Sequence, residues 1–205
     1  MYLENSESWS IITFNEDLLN FAVFTGCMYN LIDDEVFDED NVRWPANIVI
    51  NNYKECDHSK LKTQWSNWFN DIVSNQAVNI GEDTMYNFIE EIYDISNFKE
   101  LEYVELRECC KNAYPNFIEW WNMQAGGKTA LSLYEYIGGE RFCEYVEELE
   151  NKLNRKAKPF KLYIEIVYTG VPKILEVNES YMIVTPNGYI GSDREWWLNK
   201  LSKLM

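Results

Sequence analysis

The chain has 205 residues, of which 46% are hydrophobic and 16% aromatic, and its 34 Asp and Glu against 18 Lys and Arg give a formal net charge of −16 at pH 7. This composition excludes intrinsic disorder, which combines few aromatic residues with low hydrophobicity. It also argues against direct binding to nucleic acid or to an anionic membrane, because an acidic surface repels phosphate groups.

The negative charge is unevenly distributed along the chain. Residues 1–157 contain 29 acidic and 12 basic residues, whereas residues 158–205 contain 5 acidic and 6 basic residues. We interpret this as an acidic region, 1–157, followed by a near-neutral region, 158–205. The length is short for two full-sized domains, so we expect the two regions to pack together as one compact unit.

The first predicted element, at residues 9–14, is a short strand or an extended segment that leads into the fold. A helix over residues 16–31 follows, with Asn15 as its expected N-cap. The acidic run at residues 33–41 then predicts a solvated loop, because its carboxylates repel one another. Residues 47–53, with the sequence NIVINNY, predict another strand.

From residue 59 onward, apolar residues recur at helical spacing. The clearest stripe predicts an amphipathic helix and consists of Leu61, Trp65, Trp68, Phe69, Ile72 and Val73. A further helix is expected to begin at Thr84 as its cap. Helical spacing then continues from residue 103 to Pro115, which is expected to begin a new helix because Pro fits the first turn. The Gly pairs at 126–127 and 138–139 are expected to end helices.

The pattern changes after residue 158. Residues 160–168, 174–177 and 181–185 alternate apolar and polar side chains between turn residues, which predicts an antiparallel β-meander. Ser192 and Glu195 have the spacing of a capping box ahead of a final helix that contains Trp196 and Trp197. The predicted fold is therefore α+β: a mostly helical acidic body, then a C-terminal antiparallel β-meander covered by a final helix.

The cysteines indicate the compartment. There are five, Cys27, Cys56, Cys109, Cys110 and Cys143, and an odd number without framework spacing favours reduced thiols. No uncharged stretch approaches the roughly 18 residues of a membrane-spanning helix, and the first residues show no secretory leader pattern. These patterns predict a cytoplasmic protein without a membrane partner.

No catalytic, metal or cofactor motif is complete. The sequence AGGKTA around Lys128 resembles the end of a phosphate-binding loop, but Asn122 stands where the first Gly is required and no strand precedes it. Cys56 and His58 supply two ligands where zinc usually needs four. The acidic run lacks the alternating ligands and the turn Gly of a calcium loop. We therefore predict no catalytic residues, no metal and no cofactor.

Acidic and aromatic residues together indicate a protein-binding surface. Adjacent residues on a helix point about 100° apart, so one of Trp120 and Trp121 is expected to pack inward and the other to lie at the boundary. Boundary Trp residues next to acidic groups are typical of binding surfaces with aromatic anchors. The expected partner-binding residues are Asp33, Asp34, Glu35, Asp38, Glu39, Asp40, Trp120 and Trp121.

The resulting hypothesis is a non-enzymatic protein that binds and inhibits a basic partner protein. Immunity or antitoxin proteins of bacteria and phage-encoded inhibitors of host defence fit this description, and a nucleic-acid-handling enzyme is one class of target. Two alternatives stay open. One is a hydrolase whose acidic cleft acts on a cationic or carbohydrate substrate, and the other is a structural interaction module.

Overall fold

The computed structural model describes residues 8–32, 57–81, 88–168 and 173–205, with the backbone alone at 135–140. In chain order the elements are β1 (Ser10–Phe14), α1 (Asp17–Met28), α2 (His58–Asn79), α3 (Ile89–Ile92), α4 (Val104–Asn122), α5 (Gly127–Leu153), β2 (Lys161–Ile166), β3 (Ile174–Glu176), β4 (Tyr181–Val184), α6 (Pro186–Gly191) and α7 (Arg194–Leu204). The predicted α+β fold is confirmed. The predicted loop at 33–41, the predicted strand at 47–53 and Thr84 lie outside the described residues.

The four strands form one mixed sheet in the order β1-β2-β4-β3. The pairs β1–β2 and β2–β4 are parallel, and only β3–β4 is antiparallel. The predicted antiparallel meander is therefore confirmed for the β3–β4 pair and wrong for β2, which pairs in parallel with β1 and β4 and does not pair with β3. Five of the six residues of β2 are buried, as expected for a central strand. Its neighbours in the sheet are β4 on one side and, on the other, β1 from the opposite end of the chain. Period-two alternation indicates a strand but carries no information on its direction.

The strand register places a polar group among apolar neighbours. Glu165 on β2 lies between Phe14 on β1 and Ile183 on β4. Tyr163 pairs with Tyr181 two residues earlier, and alternation puts both tyrosines on the same face as Glu165. The end of α2 lies against this face, since a Cβ atom at Gly81 would come within 2.6 Å of the Tyr163 hydroxyl.

Two predicted helix boundaries inside the acidic region are wrong. Helix α4 continues through Pro115 instead of restarting there. A Pro inside a helix lowers its stability by roughly 3 kcal/mol. The buried face of α4 extends on both sides of Pro115, and the packing of this face outweighs the loss. Likewise the glycines at 138–139 do not end α5, which continues to Leu153 and is closed by Asn154 with a φ of 50°.

The helix caps also differ from those expected. The N-cap of α1 is Glu16 rather than Asn15, and its side chain makes no capping hydrogen bond. Helix α7 is capped by Asp193, whose carboxylate accepts from the backbone N–H of Glu195 at 3.0 Å. The predicted capping box fails because the Ser192 hydroxyl accepts a hydrogen bond from the indole of Trp197 instead.

The final helix packs on α5 and on the edge of the sheet. The Trp197 ring lies edge-on to Phe142 with the ring centroids 4.9 Å apart. On the next turn, Lys200 is buried and its ammonium group lies 2.6 Å from the carboxylate of Glu176 on β3. Half-buried Trp196 lies beside buried Trp197, so the inward-facing residue of this pair is Trp197.

An aromatic core joins α1, α2 and α4. Phe21 on α1 lies edge-on to Trp68 and Tyr114, with ring centroids 6.0 and 5.7 Å away. Trp65 on α2 donates its indole N–H to the backbone carbonyl of Ala22 at 2.8 Å. Gly26 permits this close approach, because a Cβ atom there would lie 2.6 Å from the Trp65 ring.

Two findings bear on the predictions from composition. None of the described helices combines the length and apolarity needed to cross a membrane. Cys27, Cys109 and Cys110 are buried and Cys143 is exposed, and none of these four forms a disulfide within the described structure. Cys56 lies outside the described residues.

Candidate functional site

A cleft of about 470 Å³ opens between α2 and residues 92–106. One face of α2 forms the first wall, because its lining residues recur every three to four positions. These residues are Asn67, Trp68, Asp71, Ile72, Asn75, Gln76 and Asn79. The opposite wall consists of Ile92, Tyr93, Glu100, Leu101, Glu102, Tyr103 and Leu106, and Leu18 of α1 also lines the cleft.

Hydrogen bonds join the two walls. The indole N–H of Trp68 donates to the hydroxyl of Tyr93 at 3.0 Å, and the amide of Asn67 donates to the hydroxyl of Tyr103 at 3.4 Å. Burial raises the pKa of Tyr93 above its ordinary value, so this phenol stays neutral. The two walls of the cleft are therefore joined where these side chains meet.

The second wall is held in place by a compact turn. The Asp94 carboxylate accepts from the backbone N–H of Ser96 at 3.1 Å and from the side-chain amide of Asn97 at 3.0 Å. Phe98 has a φ of 49° and no exposed surface. Its ring lies 5.8 Å from Phe21 of α1, and this contact fixes the turn to the aromatic core.

An ion pair connects the first turns of α2 and α4. The Glu105 carboxylate accepts hydrogen bonds from Lys60 at 2.6 Å and from Gln64 at 3.1 Å. The hydrogen bond from Lys60 is the main reason why the pKa of Glu105 falls to about 2. This carboxylate therefore stays ionised at physiological pH and holds the two helices together beside the cleft.

The cleft lining is acidic. It contains the exposed side chains of Asp71, Glu100 and Glu102, and none of the described residues that line it is Lys, Arg or His. Two cations near this wall bind groups other than its lining carboxylates: Arg107 donates to the backbone carbonyls of Leu101 and Glu102 at 2.5 and 3.5 Å, and Lys99 lies 3.7 Å from Asp94. Such a concave surface can accept hydrogen bonds from a cationic side chain.

Apolar groups border the acidic lining. Ile92 is 36% exposed and lines the cleft, while Val104 is 63% exposed and directly follows the lining residue Tyr103. Exposed apolar side chains next to polar groups provide contact area for a partner. The site thus combines charge with a small apolar rim.

The structure describes only two of the predicted binding residues, Trp120 and Trp121. Asp33, Asp34, Glu35, Asp38, Glu39 and Asp40 are outside the described residues. Trp121 is fully buried and donates its indole N–H to Asp17 at 2.9 Å. Trp120 is half-buried and stacks on Phe24 with the ring centroids 5.5 Å apart. The predicted division into an inward and a boundary residue is confirmed, but neither Trp lines the cleft.

Sequence reasoning missed the cleft residues, although one signal for them was present. The polar face of the predicted helix at 59–73 and its continuation carries Asn67, Asp71, Asn75 and Asn79 at spacings of exactly four residues. Such a stripe is also compatible with an ordinary solvated face. The second wall depends on tertiary packing around Phe98, which no local pattern indicates.

A buried polar cluster lies directly behind the cleft. Gln76 lines the cleft and also reaches the sheet, where its side-chain amide contacts Glu16 at 3.0 Å and Glu165 at 3.5 Å. The Tyr181 hydroxyl contacts both Gln76, at 3.0 Å, and Glu165. Burial is the main cause that raises the pKa of Glu165 to about 8. We call Glu16, Gln76, Glu165 and Tyr181 the buried cluster.

The glycine pair ahead of Lys128 has a packing role. A Cβ atom at Gly126 would lie 1.9 Å from the backbone carbonyl of Trp120, and one at Gly127 would lie 2.5 Å from the Trp120 ring. The Lys128 ammonium group is 3.7 Å from Asp17. The AGGKTA sequence therefore permits the close approach of α4 and α5. Within the described ranges, no three His, Cys, Asp or Glu side chains converge in a group that could hold a metal ion.

Comparison of the chain with protein-family models, curated proteins and solved structures finds no match.

Proposed function

We propose that the protein binds a basic partner protein through the acidic cleft and inhibits it by covering its cationic surface. The observation that carries this proposal is the lining of the cleft, which presents three carboxylates and, among its described residues, no basic side chain. Complementary charge of this kind gives a complex its specificity and its association rate.

The cleft suits an inserted Arg or Lys side chain. The guanidinium group of an Arg can donate paired hydrogen bonds to a carboxylate, here Asp71 or Glu102. Its aliphatic stem can pack against apolar surface such as Ile92. The side-chain amides of Asn75 and Asn79 can both donate to and accept from the partner's backbone.

The charge of the whole chain supports the same proposal. A net charge of −16 produces an attractive field for a basic protein at distances beyond direct contact. The acidic run at residues 33–40 belongs to this long-range contribution. Replacing its Asp and Glu residues by Asn and Gln should slow association and flatten its salt dependence while the fold stays intact.

The same chemistry favours a target that handles nucleic acid. Such enzymes carry a cationic face for phosphates, and an acidic protein that occupies this face prevents substrate binding. This supports the immunity, antitoxin or anti-defence role predicted from the sequence. The hydrolase alternative has less support, because a general acid must reach the substrate, whereas Glu165, with its raised pKa, has no exposed surface and does not line the cleft.

A titration with short peptides tests the binding mode. One peptide contains Arg and its control contains citrulline, which has the same shape without the charge. We expect the Arg peptide to shift the NMR signal of the Trp68 indole N–H, and the double variant Asp71→Asn/Glu102→Gln to lose this response. The matched control is Glu119→Gln/Glu144→Gln, which removes the same charge from exposed positions on α4 and α5. Equal responses of the two variants would contradict a role for the cleft.

A further inference from the structure

The buried cluster contains fewer polar hydrogens than its contacts require. Four contacts connect its members: Glu165 with Tyr181, Tyr181 with the amide oxygen of Gln76 at 3.0 Å, and the amide nitrogen of Gln76 with Glu16 at 3.0 Å and with Glu165 at 3.5 Å. If both carboxylates are ionised, the single hydroxyl hydrogen of Tyr181 has to serve two acceptor oxygens. One contact between two oxygen atoms is then left without a hydrogen.

One additional proton completes the cluster. With a proton on the Glu165 oxygen that faces Tyr181, this carboxyl group donates to Tyr181, and Tyr181 donates to the amide oxygen of Gln76. The two amide hydrogens of Gln76 then go to Glu16 and to the other oxygen of Glu165. Every contact then has one donor and one acceptor, and the chain of hydrogen bonds runs in one direction. Such a chain needs no buried cation.

Reversing the Gln76 amide does not remove this requirement. In that orientation Gln76 donates to Tyr181 and Tyr181 donates to Glu165, but the amide oxygen faces the carboxylates of Glu16 and Glu165. At least one carboxyl proton is again needed, now on a carboxyl oxygen that faces the amide oxygen. The requirement for one proton therefore depends only on which side chains touch.

The surroundings of Glu165 decide where the proton lies. Glu165 has no exposed surface, whereas Glu16 is 6% exposed. The titratable groups that face Glu165 are Glu16, from the segment before α1, and Tyr181, from β4. Gln76 from α2 is neutral, and the register neighbours on β1 and β4 are Phe14 and Ile183. No described Lys, Arg or His forms an ion pair with Glu165, so ionisation of this group has no compensating charge.

We propose that Glu165 is protonated at neutral pH and that this proton fastens α2 to the sheet, so that the shape of the cleft responds to pH. The connection is direct, because Gln76 belongs both to the buried cluster and to the cleft lining. Opening of α2 would let water reach Glu165 and return its pKa towards the ordinary value of 4.5. Rising pH therefore favours the open form until it reaches about 8, the pKa of Glu165 in the closed form.

Amide hydrogen exchange of α2 tests this inference. After correction for intrinsic exchange rates, the opening equilibrium of the wild-type protein should increase with pH between about 5 and about 8, by up to tenfold per pH unit. The variant Glu165→Gln, whose amide replaces the protonated carboxyl group, should show no such increase. The control Glu144→Gln, at an exposed position on α5, should behave as the wild type. A pH-independent wild type, or an equal increase in Glu165→Gln, would overturn the inference.

Infrared spectroscopy of the wild-type protein provides a second test that does not depend on folding of the variant. At neutral pH we expect the carbonyl stretch of a protonated carboxylic acid, and we expect it to disappear as the pH rises through about 8. Its absence at neutral pH would overturn the assignment. Glu144→Gln should retain the band.

Discussion

Trp68 on α2 donates its indole N–H to the hydroxyl of Tyr93 at 3.0 Å and thereby joins the two walls of the acidic cleft. Both residues also belong to the aromatic core, since Trp68 contacts Phe21 and Tyr93 contacts Phe98. The walls of the cleft are therefore anchored to the aromatic core. A preorganised surface of this kind loses less entropy when it binds a partner.

The variant Tyr93→Phe should lower the free energy of unfolding by about 1–3 kcal/mol, because the nearly buried indole N–H of Trp68 loses its acceptor. Urea-induced unfolding measures this change. Tyr145→Phe is the matched control, since the Tyr145 hydroxyl makes no hydrogen bond among the described residues, and it should have little effect. Equal stabilities of the two variants would show that the hydrogen bond between the walls contributes nothing.

Gly26→Ala should destabilise the protein although Ala favours helices. The gain in helix propensity is about 1 kcal/mol, but the new methyl group would lie 2.6 Å from the rigid ring of Trp65 and 2.9 Å from Ile32. Overpacking of this kind typically costs about 1–3 kcal/mol. Thermal unfolding should show a lower Tm for this variant. Gly191→Ala is the control, because nothing lies within 4 Å of its added methyl group. If Gly26→Ala has a Tm at or above that of the wild type, the described packing of α1 on α2 is contradicted.

The stability of the protein should fall as the pH rises towards 8. Between pH 4.5 and about 8, Glu165 keeps its proton in the folded chain and loses it in the unfolded chain. The folded state then binds more protons at this site, so the free energy of unfolding decreases by up to about 1.4 kcal/mol per pH unit and levels off above this range. Denaturant unfolding over this range measures the effect. The difference between wild type and Glu165→Gln isolates it from the other carboxylates, and parallel pH profiles of the two proteins would refute it.

The variant Trp197→Ala should lower the free energy of unfolding by about 3–5 kcal/mol, because this side chain is only 2% exposed and packs against Phe142. Truncation of the chain before Ser192 should destabilise it for the same reason. Trp197→Phe loses the hydrogen bond to Ser192 and part of the buried ring. It retains a ring against Phe142, so its loss of stability should be smaller than that of Trp197→Ala. If Trp197→Ala keeps the wild-type Tm and loses partner binding instead, α7 is a binding element and not a structural one.

Hydrophobic periodicity predicted the elements that bury one continuous face. The stripe from Leu61 to Val73 became α2, and the alternation after residue 158 gave the positions of β2, β3 and β4. We expected Pro115 to begin a helix and the glycines at 138–139 to end one. Both predictions were wrong, because α4 and α5 continue through these residues. Strand direction could not be predicted either, because β1 joins β2 from a distant part of the chain.

The candidate site was harder to predict than the fold. Its second wall depends on Phe98, which adopts a positive φ and anchors the turn in the core. The buried cluster joins Glu16, Gln76, Glu165 and Tyr181, which are far apart in the sequence. In the alternating pattern of its strand, Glu165 is an ordinary polar residue between apolar ones, and the pattern does not indicate that it is buried. The negative charge was evident from composition, but the shape that concentrates part of it in a cleft is a property of the tertiary structure.

The central claim is that the acidic cleft binds a basic partner protein. It is tested most directly by affinity capture from native lysate with three immobilised forms: wild type, Asp71→Asn/Glu102→Gln and the equally charged control Glu119→Gln/Glu144→Gln. The captured protein is then identified, and its association with each form is measured at low and high salt. We predict that wild type and control retain one stoichiometric basic protein whose binding weakens with salt and whose activity is inhibited, and that the cleft variant loses it. Equal retention by both double variants, or the absence of any stoichiometric basic protein, would contradict the account.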